Sequence, residues 1–173
     1  MKLEDRCKSV ELILSDVDGV LTDGGIIFDN QGIETKRFHV RDGMGIKLWQ
    51  RAGFRFGILT ARTSHVVQLR ANELGLDLIR QGVDAKLPAA RRIIEEMGLT
   101  PEQVCYIGDD LPDLALIQTV GLGVSVADAS ADVRGAAAYV TKLPGGQGSV
   151  RETIEFILRN KGLWDGMIRK YAN

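Results

Sequence analysis

The sequence predicts an α/β protein with a Rossmann-like, doubly wound parallel sheet, and three observations carry that prediction. Short apolar runs of strand length alternate with segments of helical period along the chain, a rhythm that implies a parallel sheet with helices on both faces. Several of those runs end in residues that carry chemistry, where a sheet of this kind presents its carboxyl edge. The length, 173 residues, suits one domain (1–173) with a core large enough to fold alone.

Taken in order, the first strand is Leu12-Ile13-Leu14-Ser15, followed directly by Asp16-Val17-Asp18-Gly19. Two unpaired charges are not tolerated inside a strand, so the carboxylates belong where the chain leaves the sheet, facing a metal or a substrate. Next, Gly25-Ile26-Ile27-Phe28 and Glu34-Thr35-Lys36-Arg37-Phe38 flank Asp29-Asn30-Gln31-Gly32, whose residues favour a tight turn. The segment 24–39 therefore reads as a β-hairpin projecting from the mouth of the sheet. A hairpin this small cannot bury its own apolar side chains and must lean on something.

The alternation then resumes. Helices are expected near 43–52, 64–74, 85–97, 112–118, 130–136 and 150–160, with strands at 55–59, 78–80, 104–107, 123–126 and 138–140, and a carboxyl-terminal tail over 161–173. No separate cap domain is visible among these segments, so a neighbouring subunit is the economical source of cover for the mouth. The loop Lys142-Leu143-Pro144-Gly145-Gly146-Gln147-Gly148-Ser149 lacks the Lys-Ser/Thr ending of a nucleotide P-loop, and reads as a flexible connection or as a lining of the site.

Composition narrows the partners. The formal net charge is -1 with 26% charged residues, so no global basic field attracts nucleic acid or an anionic membrane. No apolar run approaches the roughly 18 residues of a membrane span. The start, Met1-Lys2-Leu3-Glu4-Asp5-Arg6, is charged where a signal peptide turns apolar, which points to the cytoplasm. Cys7, in a polar amino-terminal segment, and Cys105, in an apolar strand, have neither zinc spacing nor a disulfide framework and read as free thiols.

The chemistry lies in four pieces: the strand-end pair Asp16 and Asp18; Thr60 at the end of Phe56-Gly57-Ile58-Leu59; Lys86 at the start of a helix; and Gly108-Asp109-Asp110-Leu111-Pro112-Asp113 after Val104-Cys105-Tyr106-Ile107. Each alone is weak, since a lone Asp-x-Asp-Gly is also a calcium loop or a turn. Together, in this order, they resemble the motifs of the haloacid dehalogenase superfamily of aspartate-nucleophile phosphatases. The resemblance implies a HAD-like fold, with Asp16 as nucleophile, Asp18 as general acid and base, Thr60 as donor to the transferring phosphoryl group, and Lys86 as its charge partner. It also implies a metal held by Asp16, Asp109 and the backbone carbonyl of Asp18. A carboxylate attacking a phosphomonoester dianion needs a divalent cation, and an all-oxygen set suits Mg²⁺.

Other roles stay open at this stage. Thr60 also suits the N-cap of the next helix, and a lone Lys86 would ordinarily be a solvated helix position. Asp113 is favoured as a residue orienting Lys86, whereas Asp110 is a ligand, a supporting group or a helix cap. Of the two histidines, His65 reads as a surface helix position, and His39 is undecided beside the mouth.

A narrower resemblance runs through residues 10–160: Asp16-Val17-Asp18-Gly19-Val20-Leu21-Thr22-Asp23-Gly24, Phe38-His39-Val40-Arg41-Asp42-Gly43-Met44-Gly45-Ile46, Leu59-Thr60-Ala61-Arg62 and Gly145-Gly146-Gln147-Gly148-Ser149-Val150-Arg151-Glu152. These look like the family of 3-deoxy-D-manno-octulosonate 8-phosphate (KDO 8-phosphate) phosphatases of lipopolysaccharide precursor synthesis. That resemblance implies a homotetramer in which hairpin and carboxyl-terminal region close a neighbour's site. It also implies substrate contacts at Asp18, His39, Val40, Arg41, Asp42, Gly43, Lys47, Arg62, Arg70 and Lys86. Lys47 and Arg70 equally suit solvated helix charges, and Lys47 is a poorer carboxylate clamp than an Arg. Phosphatases of nine-carbon keto-acid (sialic acid or deaminated neuraminic acid) 9-phosphates compete, but their relatives tend to carry an acidic residue where Arg62 stands. A non-catalytic assembly module of the same fold would have lost Asp16, Asp18 or Lys86.

Overall fold

A computed structural model of the chain describes residues 2–172. Six strands form one parallel sheet in the order β5-β4-β1-β6-β7-β8: β1 (Leu12–Ser15), β4 (Arg55–Leu59), β5 (Leu78–Arg80), β6 (Val104–Gly108), β7 (Leu122–Ser125) and β8 (Tyr139–Val140). The central strands β1 and β6 are buried along their whole length, as strands covered on both faces must be. Connections from β1 run outward to β4 and β5 and then return across β1 to β6. The switch in direction lies beside β1, the place where sheets of this kind open a crevice.

The connecting helices are α2 (Val40–Arg51), α3 (His65–Leu74), α4 (Lys86–Glu96), α5 (Leu114–Thr119), α6 (Ala131–Ala136) and α7 (Ser149–Asn160). α2 packs against α3 and α7, while α5 packs against α4 and α6, giving one layer on each face. Gly75, in the left-handed region at φ 68°, closes α3. The amino end of α7 is capped from another helix: Asp42 Oδ1 accepts from the backbone N–H of Arg151 at 2.7 Å.

The paired segments β2 (Ile27–Phe28) and β3 (Glu34–Thr35) form an antiparallel hairpin, shorter than the runs that predict it. Asp29 Oδ1 accepts from Gln31 and Ile33 N–H at 2.8 Å each, and Gly32 sits at φ 79°. The hairpin leaves Ile26, Ile27, Phe28 and Ile33 more than half or about half exposed.

Four expectations are corrected. The amino-terminal segment is not merely polar: it forms α1 (Leu3–Ser9), which packs on α7 and buries Cys7 completely. The carboxyl-terminal tail contains α8 (Trp164–Arg169), anchored by Trp164 between the guanidinium groups of Arg151 and Arg159 at 5.1 and 5.0 Å; Asn173 of that tail lies outside the described residues. The expected helix 112–118 is split into a 3-10 turn, Leu111–Asp113, and α5, because Asp110 and Asp113 form a reciprocal capping box. The loop 142–149 is not a flexible connection. Gly145 and Gly146 are buried, Gly146 N–H donates to Val20 O at 2.9 Å, and a Cβ on Gly145 would lie 1.8 Å from Gly19 O. Among the described residues no helix is long and apolar enough to cross a membrane.

Candidate active site

The site is built on the carboxyl edge of the sheet. Asp16 directly follows β1, and its N–H extends the ladder to Ile107 O at 3.0 Å. The chain then turns sharply. Val17 O accepts from Leu21 and Thr22 N–H at 2.9 and 3.0 Å, and Gly19 takes φ 85°. Only glycine fits there, since a Cβ would lie 2.1 Å from Asp109 Oδ2.

Lys86, the first residue of α4, is 4% exposed, and its Nζ donates to Asp16 Oδ2 and to Asp113 Oδ1, each at 2.6 Å. A buried ammonium is tolerated because two carboxylates hold it. Burial lowers its proton affinity, and Asp16 and Asp113 outweigh that effect, so its pKa rises. Asp113 is saturated: Oδ1 also accepts from the buried Tyr106 hydroxyl at 2.6 Å, and Oδ2 from Asp109 N–H at 2.9 Å and Asp110 N–H at 3.3 Å. It therefore orients Lys86, as favoured from sequence. Asp110 is exposed and serves as the cap of the 3-10 turn.

Carboxylate oxygens of Asp16, Asp109 and Asp113 lie within 4.8 Å of one another. Burial first, then repulsion from Asp16 and Asp113, lifts the Asp109 carboxyl to about 7; burial likewise raises Asp16, with Lys86 pulling the other way. Three carboxylates against one ammonium are under-compensated, and the oxygen-only donors suit a hard divalent cation. Because Asp113 is spent on Lys86 and Tyr106, Asp16 and Asp109 are the carboxylates free to hold it.

Thr60 directly follows β4 and is 2% exposed. Its backbone is fixed by Arg80 O and Val83 N–H at 3.0 and 3.1 Å. It does not cap the next helix, since Ser64 occupies that position. The Asp18 carboxylate faces the hairpin. Oδ1 accepts from Lys36, which also lies 3.2 Å from Glu34 Oε1, and Oδ2 lies 3.6 Å from Arg62 Nε. Arg62 NH2 donates to Glu34 at 2.9 Å, and Ser64 Oγ bonds the other oxygen of Glu34.

The remaining sequence candidates divide. His39 caps α2 through Nδ1, accepting from Arg41 N–H at 3.3 Å, and Val40 is exposed. Arg41 borders a groove of about 530 Å³ with Lys142, Gly148 and Arg151. Asp42 is turned inward to cap α7, and one of its oxygens is buried without a partner among the described residues. Gly43 lies under Arg70, whose NH2 would be 2.3 Å from a Cβ there. Arg70 pairs with Glu73 at 2.7 Å, and Lys47 donates to the Glu73 carbonyl at 3.3 Å. Those two cations serve the last turn of α3 and are not drawn into the Asp16 cluster.

Sequence reasoning missed Tyr106, Glu34 and Lys36. Tyr106 reads as an ordinary strand aromatic. Glu34 and Lys36 sit in a hairpin whose alternation Glu34-Thr35-Lys36 places both on one face, and that was the available signal.

The chain is similar to known proteins in both sequence and fold. Residues 70–150 match the family described as haloacid dehalogenase-like hydrolase. A Yersinia pestis protein, 3-deoxy-D-manno-octulosonate 8-phosphate phosphatase, is 43% identical over 153 residues, covering 88% of this chain and 82% of its own. The protein of that name from Escherichia coli K12 is 40% identical over 160 residues, covering 92% and 85%. A crystal structure of the Moraxella catarrhalis phosphatase with magnesium ion, phosphate ion and KDO superposes with a TM-score of 0.96 at 39% identity, covering 97% of each chain.

Proposed function

Because the chain belongs to the 3-deoxy-D-manno-octulosonate 8-phosphate phosphatase family of haloacid dehalogenase-like hydrolases, we propose that it hydrolyses KDO 8-phosphate to KDO and phosphate with Mg²⁺ as cofactor. The observation that carries the chemistry is the buried Lys86 ammonium shared between Asp16 and Asp113 at the carboxyl edge of β1. It holds Asp16 in place beside an under-compensated carboxylate cluster.

In this reading an Asp16 oxygen forms a bond to phosphorus while the bond from phosphorus to the sugar oxygen breaks. Asp18 gives its proton to the departing alkoxide, then removes one from the water that attacks the phosphorus of the aspartyl-phosphate as the bond to the Asp16 oxygen breaks and frees its carboxylate. Lys86 offsets charge on the transferring oxygens, and the Thr60 hydroxyl donates to them. Asp16, Asp109 and the Asp18 carbonyl would hold Mg²⁺, which when bound neutralises charge on nucleophile and phosphoryl group. Arg62 suits the sugar-acid carboxylate because it stands at the mouth with a planar fork of donors. By the family resemblance His39 to Gly43 would contact substrate, and Lys47 and Arg70 would meet it only by leaving Glu73. The nine-carbon reading has no observation in its favour, since the relatives named above carry the eight-carbon name.

The exposed Ile26, Ile27, Phe28 and Ile33 support a homotetramer in which hairpins cover neighbouring mouths, working in the cytoplasm and in lipopolysaccharide precursor synthesis. Phosphate release from KDO 8-phosphate, a nine-carbon acid 9-phosphate and simple sugar phosphates tests the substrate. Preference for the nine-carbon or the simple phosphates overturns it. Light scattering of the same preparation should give a tetramer, and a fully active monomer would remove the shared site.

A further inference from the structure

We propose that Lys36 is the positioning residue for Asp18, so that the hairpin, and not only the sheet edge, sets the geometry of proton transfer. This inference rests on the phosphatase reading above and deepens it.

The hairpin buries a charge and exposes apolar side chains. The hairpin exposes its apolar residues, with Ile27 at 50% and Phe28 at 55%, yet the Lys36 side chain is 1% exposed. Burying an ammonium while leaving a phenyl ring in solvent reverses the usual order and requires compensation. Two carboxylates on different elements provide it: Asp18, beyond the end of β1, and Glu34, in the hairpin itself. Glu34 is in turn fixed by Arg62 and Ser64, which lie beyond β4. The ammonium therefore ties Asp18 to a frame anchored at the second strand end.

Asp18 needs such a frame. It leaves β1 on a glycine turn, and its carboxylate is only partly covered, at 18% exposure. Among the described residues no backbone N–H lies within hydrogen-bond reach of it, whereas the Asp16 carboxylate has Val17 N–H at 2.7 Å and Lys86. A carboxylate that must first meet a departing sugar oxygen and then a water has to keep its direction through both steps. Lys36 supplies that direction without touching the reacting atoms.

The test uses Lys36→Met, which keeps the buried stem, on the Mg²⁺-loaded full chain. With KDO 8-phosphate, kcat should fall roughly 10–100-fold, the loss usual when a supporting partner is removed, and KM should move little. p-Nitrophenyl phosphate separates this role from simple damage, because nitrophenolate leaves without a proton donor while hydrolysis of the aspartyl-phosphate still needs Asp18 as base. Lys36→Met should therefore release nitrophenolate in a burst approaching one equivalent per site and then turn over slowly. Acid-quenched protein should carry correspondingly more acyl phosphate than wild type. Unchanged kcat, a loss confined to KM, or a slowed first step with no burst would each overturn the proposal. If Lys36→Met fails to fold, the charge-balanced Glu34→Gln/Lys36→Met pair takes its place with the same expectations. A wild-type protein that ignores KDO 8-phosphate but hydrolyses p-nitrophenyl phosphate would sink the substrate reading while leaving the burst experiment to judge Lys36.

Discussion

Asp16 and Lys86 form a pair that neither strand nor helix would tolerate alone, and each makes the other's burial possible. Asp16→Asn keeps the shape but cannot form an acyl phosphate. Phosphate release should therefore fall at least about a thousandfold in a variant that still folds, as judged by circular dichroism. Residual turnover well above that level would remove Asp16 as nucleophile. Arg62 tests the substrate at the same scale. Its replacement by Ala should lower kcat/KM for KDO 8-phosphate by roughly 1.5–3 kcal/mol, the range for a hydrogen bond to a charged group. First-turnover nitrophenolate release from p-nitrophenyl phosphate, which needs neither a sugar carboxylate nor Asp18 as acid, should be affected much less. Lys86→Ala is the control that must damage both substrates; equal losses for Arg62→Ala would place that side chain at the phosphate instead.

At the scale of elements, Asp42 is a residue of α2 acting as the N-cap of α7, so two helices adjacent in space but far apart in sequence share one hydrogen bond. Asp42→Ala should cost about 1–2 kcal/mol, lowering Tm by roughly 2–4 °C per kcal/mol in a chain of this size. Burial raises the Asp42 pKa, with the Arg151 N–H opposing. A carboxyl held above its unfolded pKa contributes most below that unfolded value, near pH 4, and the contribution shrinks as pH rises through the folded value. The destabilisation by Asp42→Ala should therefore be larger near pH 4 than at pH 8, and denaturant titrations at the two pH values decide it. The opposite order would mean that the ionised form is the stabilising one.

Over the whole molecule, α1 and β6 bury both thiols in the core. Burial lifts Cys7 to about 11 and raises Cys105 well above the usual thiol value. At pH 8 both are thiols out of reach, so a disulfide reagent should label the native protein only as fast as it opens, and both cysteines promptly in denaturant. Rapid labelling of either in the folded state would contradict the packing of α1. The carboxylate cluster makes a second global prediction. Chelator should abolish turnover and Mg²⁺ restore it, while Ca²⁺, larger and more flexibly coordinated, should inhibit. Full activity in excess chelator would end the Mg²⁺ assignment.

What the sequence by itself determined were features encoded within a few residues: the apolar runs 12–15, 55–59 and 78–80, which reappear with the same bounds as strands; the Gly19 turn; and four motif positions whose order alone pointed to an aspartate-nucleophile phosphatase. Short apolar runs and turn chemistry suffice there, because strands covered on both faces, such as β1 and most of β4, need little but apolar residues and a polar end. The tertiary structure alone decided the rest. α1 and α8 are short and mixed in charge, so their only strong signals, Cys7 and Trp164, become legible once α7 is there to receive them. The capping of α7 by Asp42 became legible only with α7 beside it, and Gly145 looked like slack until Gly19 lay beneath it. Lys36 was an unremarked hairpin cation, because the carboxylate it serves lies 18 residues away. Charges that must be buried choose partners by distance in space, and no short window of sequence contains that distance.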